Sequence, residues 1–404
     1  MRIALIADSF PPLRTSGAIQ LRDLSREFVR QGHKLTVLVP SEDLDAHWRI
    51  EEVDGVRILR LKSPNTKDIN YILRTVNEFL MPYAMLRNLR KSPLASEVWD
   101  GIAWYSPTIF LGPIVNALKS GSACRSYLII RDIFPEWAAD VGLIGRGLIY
   151  QMLRLIANYQ YSVADVIGVQ TAGNLAYFTD WQNGLNRRVE VLHNWLTQSQ
   201  PSVCSITIDS TTLAGRKIFV YAGNMGVAQG MNILLDLAER LKNRFDIGFL
   251  FVGRGRDAQR LRADAKQRRL KNVIFRNEID PDEITGLYTQ CHIGLVALDH
   301  RHKTHNIPGK FLSYMQAGLP VLASINPNND LVRLISTEKV GLVCTDNSAD
   351  SLAANALELI RFIGQDAGLK ERCQNLAYRL FSPHTAVKQI VNGLTPINQC
   401  HQNI

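Results

Sequence analysis

"RIALIADSFPPLRTSGAIQLRDLSREFVRQGHKLTVLVP", residues 2–40, decides the fold. "RIALIA" reads as a buried strand, "SGAIQLRDLSREFVRQGH" as a helix closed near Gly32, and "KLTVLVP" as a second strand rich in Val and Leu. Strand, helix and strand in that order open a parallel α/β sheet. The first apolar run stops at Asp8, which suits a strand better than a signal peptide.

The same rhythm returns in the second half. "KIFVYAG", "IGFLFVG", "NVIFR", "IGLVAL", "PVLAS" and "GLVC" read as strands. "MNILLDLAERLKNR", "RLRADAKQRRL", "EITGLYTQ" and "KFLSYMQAG" read as the helices between them. Continuous apolar strands alternating with helices imply sheets covered on both faces, and two such series imply two doubly wound, Rossmann-like domains. A length of 404 residues agrees with two domains. Their expected spans are 1–195 and 217–380, joined by the Ser/Thr-rich stretch 196–216 as linker, with a further helix at 383–394.

The formal charge of +9 points to an anionic partner: nucleic acid, an anionic membrane or a phosphorylated ligand. Six cysteines form no CxxC pair and do not cluster with histidine, so neither a zinc site nor a disulfide framework is expected, and the chain reads as reduced and cytoplasmic. No apolar run approaches the about 18 residues of a spanning helix.

Ligands of parallel α/β sheets sit at the carboxyl ends of strands, where helix N-termini offer unpaired amides. "YAGNMGVAQGMN" sets Gly223, Asn224 and Gly226 after one strand, an arrangement that serves a turn as well as a cradle. "FVGRGRDAQRL" sets Arg254 between Gly253 and Gly255 after the next, where the dinucleotide spacing GxGxxG is not met and a turn is the ordinary reading. In "HNIPGKFLSYMQAGLP", residues 305–320, Pro308 suits a first helical turn, Gly309 lets a ligand approach, and Lys310 adds a cation at the end of a helix that favours negative charge. Together the three segments point to a pyrophosphate-bearing ligand in the second domain.

"PPLRTSGAIQLRDLSREFVRQGHKLTVLVP", "RDIFPEWAADVGLI", "YAGNMGVAQGMN" and "HNIPGKFLSYMQAGLPVLA" resemble family 4 retaining glycosyltransferases of the GT-B fold, most of all the bacterial O-antigen and capsule enzymes that transfer N-acetyl-L-fucosamine from its UDP form to a lipid-linked sugar. The resemblance runs along essentially the whole chain. It implies an acceptor domain followed by a donor domain, a cleft between them, a last helix returning to the first domain, and a UDP-sugar as donor substrate. No cofactor or metal is implied, because basic side chains and helix amides neutralise the leaving diphosphate.

On the donor side the resemblance implies contacts from Gly223, Asn224, Gly226, Gln229, Arg254, Thr304, His305, Asn306, Gly309 and Ser313, with Lys310 stabilising the departing charge. Many family members carry two acidic residues with seven residues between them where this chain has His305 and Ser313, and an Arg and a Lys where it has Asn224 and Gln229. Lys310 and Arg254 then carry more of the phosphate charge, and Ser313 is left with a single neutral hydrogen bond to the ribose.

On the acceptor side, "RDIFPEWAADVG" packs Arg131, Asp132 and Glu136 after the apolar "YLII". Asp132 is the first choice to hold the acceptor hydroxyl. A helix cap or an ion pair with Arg131 would place it equally well. Ser16 and Gly17 form a loop able to approach sugar or diphosphate, and a plain turn explains that glycine too.

Residues 57–91 hold eight Lys or Arg against Asp68 and Glu78. Within them Ile72, Val76, Phe79, Leu80 and Tyr83 fall at helical spacing, flanked by Arg74, Arg87, Arg90 and Lys91. Such a helix either lies on an anionic bilayer or turns its apolar side to the core. The resemblance favours the bilayer, since a polyprenyl-diphosphate acceptor stays there, and so implies a peripheral protein on the inner membrane of a bacterium. "VGLIGRGLIYQMLRLIANY" is a second apolar stretch, whose Arg146 and Arg154 argue against a span. The run from Arg254 to Arg276, nine cations and two acids, lacks interleaved aromatics and reads as a solvated helix rather than a nucleic-acid site. Two other functions fit two Rossmann-like domains: a UDP-sugar 2-epimerase, and a non-catalytic subunit of a polysaccharide assembly complex.

Overall fold

The computed structural model of the chain describes residues 1–13, 15–67, 69–184, 186–197, 203–301 and 307–396. Two units result: Met1–Trp195 with the chain from Pro383 onward, and Leu196–Ser382.

The first unit runs β1 (Arg2–Ile6), α1 (Ser16–Arg30), β2 (Lys34–Ser41), β3 (Trp48–Val53), β4 (Val56–Lys62), α2 (Tyr71–Leu89), β5 (Gly101–Ser106), α3 (Gly112–Ser122), β6 (Arg125–Ile130), α4 (Glu136–Asp140), α5 (Leu148–Val163), β7 (Val166–Val169), α6 (Thr179–Gln182) and β8 (Arg188–Val191). Its sheet order is β3-β4-β2-β1-β5-β6-β7-β8. β1 pairs in parallel with β2 from Arg2↔Lys34 to Ile6↔Leu38, and with β5 from Ile3↔Gly101 to Ile6↔Trp104. The parallel pattern fails at one edge, where β3 and β4 are antiparallel. The cause is local: Asp54 and Gly55 both take positive φ, 54° and 74°, the two-residue turn that matches the twist of a hairpin.

The second unit runs β9 (Lys217–Ala222), α7 (Asn232–Arg240), β10 (Ile247–Val252), α8 (Ala258–Gln267), β11 (Val273–Arg276), α9 (Ile284–Tyr288), β12 (Ile293–Ala297), α10 (Gly309–Ala317), β13 (Val321–Ser324), α11 (Asp330–Glu338), β14 (Gly341–Cys344), α12 (Ala349–Gln365) and α13 (Leu369–Leu380). Its sheet order is β11-β10-β9-β12-β13-β14, with every pair parallel. In both sheets the order reverses beside the first strand of the unit, between β1 and β5 and between β9 and β12. Ligands gather at such switch points, outside the carboxyl ends of the strands.

The stretch expected as linker does not stay loose where it is described. Ile206, Ile208 and Leu213 are buried in the apolar core of the second unit, and the Ile208 amide donates to Gln290 Oε1 at 2.9 Å. Three apolar side chains among Ser and Thr were enough to hold it there. Residues 198–202 of that stretch lie outside the described residues.

α14 (Pro383–Leu394) packs into the core of the first unit through Ala386, Val387, Ile390 and Leu394. A side chain on Gly101 would lie 2.9 Å from Leu394 Cδ1, so β5 presents bare backbone where the helix arrives. At its start His384 Nδ1 meets Glu27 Oε1 at 2.9 Å. Burial alone would raise the Glu27 carboxyl, but hydrogen bonds from Arg30, Gln31 and His384 bring it down to about 2.

Truncating Ile390 to Ala removes a fully buried side chain from this seam. The cost should be about 2–5 kcal/mol, read by urea unfolding as a lower midpoint of the transition that exposes the buried Trp99, Trp104 and Trp195.

Candidate functional site

β9 ends in "YAG" and β10 in "FVG", and the two turns interlock. Gly223, Gly253 and Gly255 have φ of 141°, 143° and 142°, a region closed to other residues. A Cβ on Gly253 would overlap the Gly223 carbonyl oxygen, and one on Gly255 would meet Met225 O at 2.5 Å. The backbones therefore bond directly: Met225 N donates to Arg254 O at 2.8 Å and Asp257 N to Met225 O at 2.9 Å. Tyr221 OH locks the first turn by donating to Asn224 O at 2.6 Å.

This bonding corrects the simple picture of an amide cradle. Gly223 N donates to Val252 O, Met225 N is engaged as above, and Gly226 N donates to Gln229 Oε1 at 2.9 Å. The Asn224 N–H alone in that turn has no partner among the described residues, and Gly223 and Asn224 are exposed.

α10 brings the rest. Pro308 is its N-cap in an extended conformation, without a side-chain cap and with no acid in the first turn. The Gly309 and Lys310 amides are left open by helix geometry. Lys310 Nζ sits 4.6 Å from the centre of the Tyr221 ring. A side chain on Gly223 would lie 3.5 Å from Lys310 Cε and 3.8 Å from Nζ. The helix N-terminus, its ammonium and the exposed turn of β9 therefore converge at the β9/β12 switch point. Burial pulls the Lys310 ammonium down to about 8, and among the described residues no carboxylate forms an ion pair with it. An arriving diphosphate would supply the missing counter-charge.

The other donor-side residues are placed as follows. Arg254 is exposed and pairs with Glu278, Nε to Oε2 2.9 Å, so its charge is already matched. Ser313 Oγ donates to Gly309 O at 3.3 Å, one turn back along its own helix. Thr304, His305 and Asn306 lie outside the described residues. Tyr221, the aromatic shelf beneath Lys310, escaped the sequence reading, although its place two residues before Gly223 was a usable signal.

On the first unit, Asp132 and Glu136 are half-buried beyond the carboxyl end of β6. Asp132 is not the cap of α4, whose N-cap is Pro135 with no side-chain bond. Burial raises the Glu136 carboxyl, opposed by Arg154 and Arg146. Ser16 and Gly17 open α1, whose cap is Thr15, accepting from Ala18 N at 3.2 Å. Gly17 leaves room for Tyr105: a Cβ there would lie 3.3 Å from Tyr105 Cε1.

Arg131 is buried. Its guanidinium lies 4.4 Å from the Trp195 ring centre and 5.9 Å from that of Tyr105, and Nη1 donates to Leu192 O at 2.9 Å. Nε and Nη2 are sealed from solvent, and desolvation brings the group down to about 10. Its place at the end of a strand pointed outward in the sequence, but the rings of Tyr105 and Trp195 take it inward.

α2 and α5 both pack against α3. The α2 residues Ile72, Val76, Phe79, Leu80 and Tyr83 are all exposed, so the core-facing reading fails for them. Met81, Met85 and Leu89 hold the core side instead. On α5, Leu148, Met152, Leu155 and Tyr159 form another exposed apolar stripe. No described helix is long and apolar enough to cross a membrane. The basic run about α8 is matched in part: Arg268 bonds Asp236, Glu239 and Asp264, Arg260 pairs with Asp257, and Arg262 bonds Asn277. Among the described residues no group of His, Cys, Asp and Glu is arranged to hold a metal ion.

Residues 216–361 match the family model described as glycosyl transferases group 1. Two solved structures share the architecture over nearly the full chain. Sucrose-phosphate synthase of Thermosynechococcus elongatus superposes with a TM-score of 0.76 at 14% identity, covering 97% of this chain and 98% of that one. HepE of Anabaena, solved in complex with UDP-glucose, gives 0.71 at 14%, covering 98% and 99%. The second unit is thus similar in sequence to group 1 glycosyl transferases, and the chain shares its fold of two Rossmann-like units with these two structures. Among curated proteins it is similar to the putative colanic acid biosynthesis glycosyl transferase WcaI of Escherichia coli K12, 23% identical over 326 residues, 74% of this chain and 75% of that one. It is also similar to the probable glycosyltransferase WbjE of Pseudomonas aeruginosa, 24% identical over 231 residues, 56% of this chain and 57% of that one.

Bound diphosphate favours the charged form of Lys310, so binding takes up a proton once the pH exceeds about 8. UDP affinity should therefore weaken above that pH by up to about tenfold per unit, and Lys310→Ala should bind weakly without that limb; calorimetry across pH 7–10 checks both. Gly253→Ala pushes the two turns apart and should cost about 1–3 kcal/mol, together with measurable UDP affinity, by thermal unfolding with and without nucleotide.

Proposed function

We propose that the protein transfers a sugar, N-acetyl-L-fucosamine, from its UDP form to a polyprenyl-diphosphate-linked saccharide in bacterial surface-polysaccharide synthesis, with retention at the anomeric carbon and without a metal. One observation carries this reading: an ammonium without a carboxylate partner among the described residues lies beside open helix amides and an exposed glycine turn at the switch point of the second unit. That is what a leaving nucleoside diphosphate needs. The colanic acid biosynthesis in the name of WcaI supports the polysaccharide setting, and the UDP-glucose complex of HepE supports the donor class.

In this mechanism Lys310 and the Asn224, Gly309 and Lys310 amides hold the diphosphate. The bond from the anomeric carbon to the phosphate oxygen breaks, the acceptor hydroxyl forms its bond on the same face, and its proton passes to the departing phosphate. Asp132 and Glu136 belong to the acceptor side. The exposed apolar stripes of α2 and α5, with Arg74, Arg87, Arg90, Arg146 and Arg154 about them, suit the surface of an anionic bilayer, where a polyprenyl substrate resides. The protein then works peripherally on the inner membrane.

Purified protein given a panel of UDP-sugars and a polyprenyl-diphosphate N-acetylhexosamine should give a mass increment of one sugar, largest with UDP-N-acetyl-L-fucosamine. Lys310→Ala should lower turnover by about a hundredfold or more. Isomerised UDP-sugar, or binding without product, would overturn the reading. In co-sedimentation with vesicles, phosphatidylglycerol should retain the protein better than phosphatidylcholine, and Ile72→Asp with Phe79→Asp should release it.

A further inference from the structure

β1 ends at the switch point of the first sheet, and the carboxylate that follows it is Asp8. Asp8 is half-buried, and Ser9 Oγ donates to its Oδ1 at 3.1 Å. Ile6, the last residue of β1, shares an apolar core with Met81 and Met85 of α2. The stripe of α2 that farther along carries Met81, Met85 and Leu89 to the core carries Arg74 and Glu78 here, joined at 2.7 Å. Arg74, Glu78 and the half-buried Lys67 all act electrostatically on Asp8. From β5, the buried Tyr105 feels both Asp8 and Asp132. The outward stripe of the same helix is the exposed apolar one. α2 thus presents charge toward Asp8 on one side and apolar surface on the other, a pattern that fits a substrate with a polar head and a lipid tail.

Resting on the proposed transfer of sugar to a lipid-linked saccharide, we propose that Asp8 is the carboxylate that binds and orients the acceptor's attacking hydroxyl, with Lys67 and Arg74 beside it for the acceptor's anionic head. Asp8 accepts the hydroxyl's hydrogen bond, while the proton itself leaves with the diphosphate, so Asp8 ends each cycle ionised as it began. Asp132, one strand beyond β5, then serves as a second contact. Burial raises the Asp8 carboxyl, opposed by Lys67, by Ser9 and by Arg74. The acid limb of the acceptor's kcat/KM should accordingly lie above the ordinary carboxylate range.

The test uses the full chain, a short-chain polyprenyl-diphosphate N-acetylhexosamine, and the best UDP-sugar. Asp8→Asn should lower kcat/KM for the acceptor by about tenfold to a hundredfold, remove the acid limb, and leave UDP affinity and the unfolding midpoint unchanged. Two variants that keep Asp8 report on its charge: Arg74→Gln should move the acid limb to higher pH and Glu78→Gln to lower pH, opposite shifts that a structural role would not produce. Wild-type turnover with Asp8→Asn equal to it, or an acid limb unmoved by both neighbours, overturns the role of Asp8 alone. A wild-type protein that transfers no sugar to this acceptor overturns the reading beneath it, and Asp8 with it.

Discussion

The carbonyl of Gly223 occupies the space where a side chain of residue 253 would be, and the donor side of the second unit depends on that exchange. Because both turns lack side chains at the crossing, the backbone of one strand end braces the other through Met225 N, Arg254 O and Asp257 N. The brace holds Gly223 and Asn224 outward and leaves the face of Tyr221 free for Lys310. The turn itself contributes little charge. Its neutral Asn224 and Gln229 are bonded to each other and to Gly226, so positive charge comes from α10. A site built this way would meet a diphosphate mainly with fixed dipoles and one desolvated ammonium, an interaction that strengthens in proportion to how well water is kept away.

Part of the positive charge is balanced within the chain. Along α8 and its flanks, Arg254, Arg260 and Arg268 have carboxylate partners and Arg262 an amide. In the first unit, Arg26, Arg30 and Arg60 are likewise matched, to Asp54, Glu27 and Glu51. Lys310 is half-buried in the first turn of a helix, and among the described residues no carboxylate forms an ion pair with it. A burial cost of that kind is retained where an anionic ligand returns it on binding.

The alternation of apolar runs made both sheets readable from residues 2–40 and 217–344, because strands covered on two faces leave a continuous apolar trace. Lys310 was readable for a similar reason: a cation in a first helical turn conflicts with the dipole, and such conflicts stand out. Other features left no such trace. Arg131 sits at the end of a strand like any ligand-facing residue, and only the positions of Tyr105 and Trp195, 26 residues before it and 64 after, show that it is enclosed. The exposed face of α2 has the spacing of a core helix; its direction depends on Met81, Met85 and Leu89 claiming the interior first. Asp8 looked like punctuation at the end of a strand. Its surroundings come from residues 67–78, which no local pattern connects to β1.

The two sheets reverse their strand order at equivalent places, and the chemistry there is opposite in sign. At the β9/β12 reversal an ammonium and helix amides await negative charge, whereas at the β1/β5 reversal a carboxylate follows the strand. Parallel topology explains the shared location, since it brings all strand ends, and the loops that follow them, to one edge. It does not explain the signs. The proposed glycosyl transfer would: the donor develops negative charge on its leaving group, and the acceptor must present an oxygen lone pair with its proton held away from the bond being formed. Desolvation moves each group toward its neutral form, Lys310 downward and Asp8 upward. Each therefore gains most from the substrate group that restores its charge. A fold that places the first strand of each half at a reversal offers two such positions from one architectural rule, and side-chain choice alone divides them between leaving group and nucleophile.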